Sequence, residues 1–334
     1  MYKQFLLAAV LLFTSYSYAQ GNDEFKPSGK PTFTVFWNYH ADMTEDASKS
    51  SAFELKRAYL GYSYNFSEKV SAKVVMDVGS NSGGSSYTAY LKTAQLDWKA
   101  ASGVNLSMGM IGMKQFKVQE KHWGYRYIFK SYMDQNGFGS SADLGINAEF
   151  KLSDFITANV TISNGEGYKK LQDEDGKQKF AGSLIITPAE GFTAKIYADS
   201  QAVEDSDAVS SVGIFAGYKG DSWRIGGEYN KLNNAQKYSS PMVDYELDGF
   251  SFYSTYVISK KVEIFGRFDQ LNSNTLAGES MPWNESKNGN QVIAGLQYAP
   301  IKGLKLAFNF QGFSYDDDAI NNKSMLFLNA EFKL

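Results

Sequence analysis

The 334-residue chain contains no cysteine, only 2 histidines and only 6 prolines. Without cysteine there can be no disulfide framework, thiolate metal site, cysteine nucleophile or lipoprotein anchor. The only imidazoles, His40 and His122, leave little for histidine-based catalysis or metal binding. A strong excess of one charge is missing too: 33 basic against 36 acidic residues, formal charge −3, does not fit a nucleic-acid binder. After residue 19 no run approaches the ~20 apolar residues that a membrane helix needs. No helical stripe of useful length stands out either. What is abundant is aromatic, with 22 Tyr and 24 Phe in a chain whose 43% apolar content is too high for disorder.

The first residues read as an export signal. Lys3 supplies the charged start, Phe5 to Phe13 an apolar stretch too short to span a bilayer, and Ser17 and Ala19 the small residues at −3 and −1. Cleavage is expected after Ala19, before Gln20. The expected organisation is a signal peptide over 1–19, a short periplasmic segment over 20–30 and one barrel domain over 31–334. The exported part carries about −4, since the signal holds one lysine and no acid.

Beyond the signal the chain alternates almost everywhere. Val70, Ala72, Val74, Met76 and Val78 face one way, while Ser71, Lys73 and Asp77 face the other. Leu144, Ile146, Ala148 and Phe150 alternate with Asp143, Asn147, Glu149 and Lys151. Trp223, Ile225 and Tyr229 alternate with Arg224, Glu228 and Asn230, and Leu304, Leu306 and Phe308 with Lys305 and Asn309. Period two with β-branched and aromatic residues means strands with one apolar and one polar face. Short turns fall near residues 67, 102, 153, 189, 220, 260 and 301. Each interval between them holds two strands and one longer polar loop. With Thr32 to His40 ahead and Lys323 to Leu334 behind, the count is about 16 strands, the even number an up-and-down membrane barrel requires.

Short turns at one end and long loops at the other are the signature of an outer-membrane barrel with both termini periplasmic. A β-sandwich or propeller has no reason to segregate loop lengths. The last strand alternates to the end through Leu326, Leu328, Ala330, Phe332 and Leu334, the pattern of a closing strand read by the barrel-assembly machinery. Aromatics such as Tyr62, Phe66, Trp98, Phe155, Phe192, Tyr218, Trp223, Tyr256 and Tyr298 gather beside the short turns, where an interfacial girdle would lie.

A ring of ~16 strands is too wide for side chains to fill. The polar face should therefore line a hydrated lumen, with Arg57, Lys73, Asp77, Asp97, Glu149, Lys195, Asp199, Arg224, Glu228, Glu263, Arg267, Asp269 and Lys305 as candidates. The longest loop, about Met113 to Phe138, is the third outer loop. It sets Lys114, Lys117, Lys121, Arg126 and Lys130 against Glu120 and Asp134, and carries Phe116, Trp123, Tyr125, Tyr127, Phe129, Tyr132 and Phe138. A solvated loop has little use for so many aromatics. It is expected to fold into the lumen, with its cations, His122 and Trp123 at the constriction. The alternative is a cap on the barrel or a partner-binding surface.

The segments Phe53-Glu54-Leu55-Lys56-Arg57-Ala58-Tyr59-Leu60-Gly61-Tyr62, Ala72-Lys73-Val74-Val75-Met76-Asp77-Val78-Gly79 and Gln119-Glu120-Lys121-His122-Trp123-Gly124-Tyr125-Arg126-Tyr127 resemble the phosphate-selective porin O and P family. So does Gly137-Phe138-Gly139-Ser140-Ser141-Ala142-Asp143-Leu144-Gly145. The resemblance covers about residues 50 to 165. It implies a 16-stranded outer-membrane porin of a Gram-negative bacterium, often a homotrimer, with a channel lined by arginine and lysine. This chain has only four arginines, Arg57, Arg126, Arg224 and Arg267, and its lumen candidates balance acids against bases. The expectation is passive diffusion of small hydrophilic solutes with weak anion preference, no cofactor, no bound metal, no nucleic acid and no enzymatic activity. Outer-membrane lipid and lipopolysaccharide are the expected surroundings. Two other readings are a plugged structural or adhesive barrel and a hydrolase at the rim, where both histidines are expected. Asp173-Glu174-Asp175-Gly176 lacks the downstream glutamate of a calcium loop, and Asp316-Asp317-Asp318 reads as a solvated loop.

Overall fold

The computed structural model describes residues 25–46, 48, 50–80, 87–238 and 240–334; the expected export signal lies outside them. The first eight strands are β1 (Ser28–Asp42), β2 (Ser51–Asn65), β3 (Val70–Gly79), β4 (Thr88–Ala101), β5 (Val104–Gly112), β6 (Ala142–Lys151), β7 (Ile156–Ser163) and β8 (Lys179–Ile186). The rest are β9 (Phe192–Val203), β10 (Ser206–Lys219), β11 (Trp223–Asn233), β12 (Leu247–Ser259), β13 (Val262–Ser273), β14 (Gly289–Ile301), β15 (Leu304–Tyr315) and β16 (Lys323–Lys333). Each pairs antiparallel with its sequence neighbours, and β1 pairs with β16 from Thr34 opposite Lys333 to Asp42 opposite Met325, closing the barrel. The Leu334 N–H donates to the Phe33 carbonyl at 3.2 Å, so the ring is zipped to the last residue.

Chain polarity sorts the connections. All seven short turns lie at one rim, the turn rim, and the longer loops at the other, the loop rim. Two boundaries differ from expectation. β1 begins at Ser28 rather than Thr32. The loop expected between β9 and β10 is only Glu204-Asp205, because both strands run on to a tight hairpin in which Asp205 takes φ 51°. Aspartate tolerates that left-handed backbone, which suits hairpin twist.

The outer surface is apolar and the inner face polar. Val74, Ile146, Ile214 and Phe308 are 48%, 55%, 57% and 58% exposed on the outside, while their strand neighbours Asp77, Asn147 and Asn309 are buried inside. A continuous exposed belt of this kind needs hydrocarbon as its solvent, and a closed ring leaves no backbone edge unpaired there. The fold is a transmembrane antiparallel β-barrel. At the turn rim the aromatic girdle is present, with Phe192 against Tyr218 and Trp223 against Tyr256, each with ring centroids 4.7 Å apart.

The third loop, 113–141, turns into the barrel and contains two short helices, α1 (Lys117–Trp123) and α2 (Tyr132–Gln135). Neither is long enough to show a periodic stripe. α1 stops at Gly124, whose φ of 77° forms a left-handed cap and whose N–H returns to the Glu120 carbonyl. Two apolar clusters tie this loop to one half of the inner wall. Near the loop rim, Phe116, Tyr132, Met133 and Phe138 pack on Tyr197, Val209, Leu232, Leu247 and Leu271. Deeper, Trp123, Tyr125, Tyr127 and Ile128 pack on Phe36, Phe215, Tyr253, Phe265 and Ile293. The core of this protein therefore lies inside the barrel, between a loop and a wall.

Candidate functional site

The inner wall is divided by the loop. On the side from β9 to β16 the loop covers the charges beneath it, and those charges hold the loop. Lys195 Nζ donates to the carbonyls of Lys114 and Gln115 and to Gln119 Oε1 at 3.4 Å. Arg267 pairs with Asp269 at 2.7 Å, donates to the Lys130 carbonyl at 2.7 Å and lies 5.1 Å from the Trp123 ring. The Tyr125 hydroxyl donates to Glu263 at 2.6 Å, Arg224 lies over the Tyr125 ring at 4.9 Å, and Lys305 reaches the Gly124 carbonyl at 3.5 Å. Lys195, Glu228 and Arg267 are 1%, 5% and 4% exposed, so these inward side chains do not meet an open water column. Lys179 and Asp199 form a similarly buried pair at 2.7 Å. Buried charges persist only when paired or hydrogen-bonded, and Glu228 accepts from Asn230 at 3.1 Å.

His122 is not at the outer rim. It sits on α1 near the turn rim, with Nδ1 3.1 Å from the Tyr253 hydroxyl and its ring edge-on to Phe215. A Cβ on Gly217 would come within 2.6 Å of His122 Nε2, so glycine is what admits the imidazole there. Burial, then the charges of Arg224 and Lys219, push this imidazole down to about 4. His40 lies near the loop rim beside Asn38, 3.1 Å from its Oδ1.

The loop's other face looks across the lumen at β2, β3 and β4. Lys117 pairs with Glu120 at 3.3 Å, Arg126 bridges Glu120 and Asp134 at 3.2 and 3.3 Å, and Lys130 pairs with Asp134 at 3.4 Å. Lys114 pairs with Glu149 at 3.1 Å, above a turn-rim cavity of about 390 Å³ that Asp97, Ser107 and Lys99 also line. Lys73 is exposed on the inner face of β3. Lys121 stands apart from these pairs, on a second turn-rim cavity of about 600 Å³ shared with Glu190 and Lys219. Burial pushes the Asp134 carboxyl up, but Lys130 and Arg126 outweigh it and hold the group below the usual carboxylate range.

The facing wall carries side chains that strict alternation hides. β2 is bulged: Phe36 pairs with Arg57 and Trp37 with Leu55, leaving Lys56 as the extra residue. β4 is bulged in the same way, since Val75 pairs with Thr93 and Met76 with Leu91, leaving Lys92 over. Such a bulge turns two consecutive side chains to one face. Lys56 thus joins Arg57 inside, in the fields of Glu54, Arg126 and Lys130, and Lys92 joins Thr93, in those of Asp77, Lys117, Arg126 and Glu120. Arg57 pairs with Asp77 at 3.2 Å, and Tyr168 from the loop after β7 donates to the same carboxylate. Lys92 Nζ lies 4.6 Å over the Tyr59 ring and 5.3 Å over Tyr168, and Lys169 lies 5.4 Å over Tyr90. Lys56, Lys92, Lys169 and these tyrosines lie outside the sequence-derived set. The visible signal was the adjacent polar pairs Lys56-Arg57 and Lys92-Thr93, which break the alternation. Among the described residues no group of three or more His, Asp and Glu side chains converges as metal ligands would.

Solved structures share this architecture, among them the following three. The outer membrane channel DcaP of Acinetobacter baumannii superposes with a TM-score of 0.72 at 12% identity, covering 95% of this chain and 100% of that one. OmpF of Salmonella typhi, solved with daunomycin, gives 0.69 at 12% over 92% and 97%. An anion-selective porin from Comamonas acidovorans gives 0.69 at 10% over 92% and 100%. No family model and no curated protein matches the chain. At such identities the likeness is one of fold, and the fold is that of outer-membrane porins and channels.

Proposed function

We propose that this protein is an outer-membrane porin, a passive path for small hydrophilic solutes with a weak preference for anions. One observation carries the reading. Half of the inner wall is sealed by the third loop, while charged side chains facing the other half keep contact with water, Lys117 at 44% and Lys130 at 33% exposure. Charges that stay hydrated inside a barrel shape the field on passing solutes. On that side Lys56, Arg57, Lys92, Lys117, Arg126, Lys130 and Lys169 outnumber Glu54, Asp77, Glu120 and Asp134. The resemblance to the phosphate-selective porin O and P family supports the sign, and the ion pairing of Arg57 and Arg126 argues for weak rather than phosphate-specific selection. The reading carries with it an exported chain cleaved after Ala19, assembly through β16, a lipid and lipopolysaccharide surround, and a homotrimer. The extent of loop packing favours one second reading, a plugged structural barrel.

Planar-bilayer recordings test this. Ohmic steps are expected, with a reversal potential on the anion side at low salt that fades toward ~1 M, where the Debye length is ~3 Å. Folded protein that inserts without conducting would establish the plugged barrel instead.

A further inference from the structure

We infer that the size limit of the channel is set by a second inward loop, the fourth outer loop, whose Tyr168 bars the path that the third loop leaves open. The inference rests on the channel reading and names the residue that sieves its solutes. This loop, residues 164–178, joins β7 to β8. Its contacts lie elsewhere on the wall. The Tyr168 hydroxyl donates to Asp77 on β3, four strands away from β7, which is about 20 Å of wall at the usual strand spacing. Asp77 is buried on the inner face, so a contact over that span is made through the lumen.

The local sequence turns the chain inward. In Asn164-Gly165-Glu166-Gly167-Tyr168 both glycines take left-handed backbone, at φ 110° and 79°. A Cβ on Gly167 would lie 2.5 Å from Ser140 Oγ, so the root of the fourth loop passes against the end of the third. The buried Asp143 carboxylate accepts from the Gly165 and Gly167 N–H groups at 2.6 and 3.1 Å, and the Tyr168 N–H donates to the Ala142 carbonyl at 3.0 Å. The Tyr168 side chain therefore leaves a fixed base. Its ring stands edge-on to Tyr90 with centroids 6.3 Å apart, and Lys92 Nζ lies 5.3 Å from it. Arg126 of the third loop acts on both Tyr168 and Tyr59, while Lys169 feels Arg57 and Asp77 on the wall as well as Lys130 and Asp134 on the third loop. Tyr168 thus stands between the third loop and β2–β4, in the water path of the channel reading. A hydroxyl donating to a carboxylate makes one of the stronger hydrogen bonds, so the ring is held in place. A ring so held is a steric obstacle that salt does not screen, and a neutral solute meets it as an ion does.

Swelling of proteoliposomes in neutral sugars tests the sieve apart from charge. Tyr168→Ala should raise the rate for a disaccharide about fivefold relative to a pentose, and the single-channel conductance about twofold, because pore-lining bulk sets both. Tyr168→Phe, which frees the ring from Asp77, should fall between parent and Tyr168→Ala and show added current fluctuations. Leu171→Ala, on the 95% exposed part of the same loop, should match the parent. Heat-modifiable migration checks that each variant is folded. A second readout needs no current. The chain has no cysteine, so a Tyr168→Cys/Asp77→Cys pair can be joined by a bifunctional maleimide. Crosslinking is expected in the folded protein and not after prior denaturation. A silent parent would defeat the channel reading, while the crosslink would still decide whether the fourth loop spans the lumen. An unchanged sugar ratio in a conducting Tyr168→Ala channel, or no crosslink in the folded pair, would overturn the inference.

Discussion

His122 shows how one side chain couples the loop to its surroundings. Its imidazole is wedged between Phe215, Tyr253 and the bare backbone of Gly217, with the charges of Arg224 and Lys219 acting on it. The docked ring titrates at about 4, against ~6.5 for an unconstrained histidine. A base whose docked value is depressed favours the bound state when neutral. Its contribution is complete above ~6.5 and is lost as pH falls toward about 4. Loop docking should loosen over that window. Single-channel recordings from pH ~7 down to ~4 should show growing current fluctuations, and His122→Gln should flatten the dependence. Fluctuations that rise equally in the variant would assign the effect to other groups.

At the scale of the element, the third loop behaves as an interior segment that happens to be a connection. Its aromatics supply the apolar contact, and wall side chains satisfy its backbone. Lys195 is the most heavily used of these, holding two loop carbonyls and Gln119 at once. Lys195→Met keeps most of the side-chain volume but strands those acceptors, at a cost of ~1–3 kcal/mol to loop docking. The barrel strands do not depend on it. Trypsin should therefore cut within 114–130 faster in the variant, while the heat-modifiable migration of the folded barrel persists. Loss of folded barrel would show that the loop is needed for the wall itself.

At the scale of the molecule, closure decides stability. β16 pairs with both β15 and β1, and Phe332 lies opposite Leu304 on one side and Val35 on the other. Deleting Phe332-Lys333-Leu334 shortens the seam and leaves backbone groups of two strands facing hydrocarbon, where nothing can satisfy them. The variant is expected to fail to accumulate as a folded barrel in the outer membrane, measured as heat-modifiable protein in membrane fractions. Normal assembly would mean that the seam tolerates an open end.

The strand number, the sidedness of the turns, the closing strand and the inward course of the third loop were all legible in the residues. Alternation is local, so Val74 and Asp77 declare opposite faces of β3 without any knowledge of their neighbours. An aromatic-rich loop likewise has few places to go but inward. The sequence by itself could not say which wall the loop would meet. That contact depends on Phe215, Tyr253 and Phe265, far away in the chain, and it turned Lys195, Glu228 and Arg267 from lumen candidates into buried anchors. It also carried His122 to the turn rim. The bulges at Lys56 and Lys92 are a second case. A polar doublet signals that the alternation breaks, but only the register of the partner strands, β1 against β2 and β3 against β4, decides which face receives the extra residue. Period-two patterning is written along one strand, whereas pairing of charges and coverage of a wall are properties of groups brought together across the barrel.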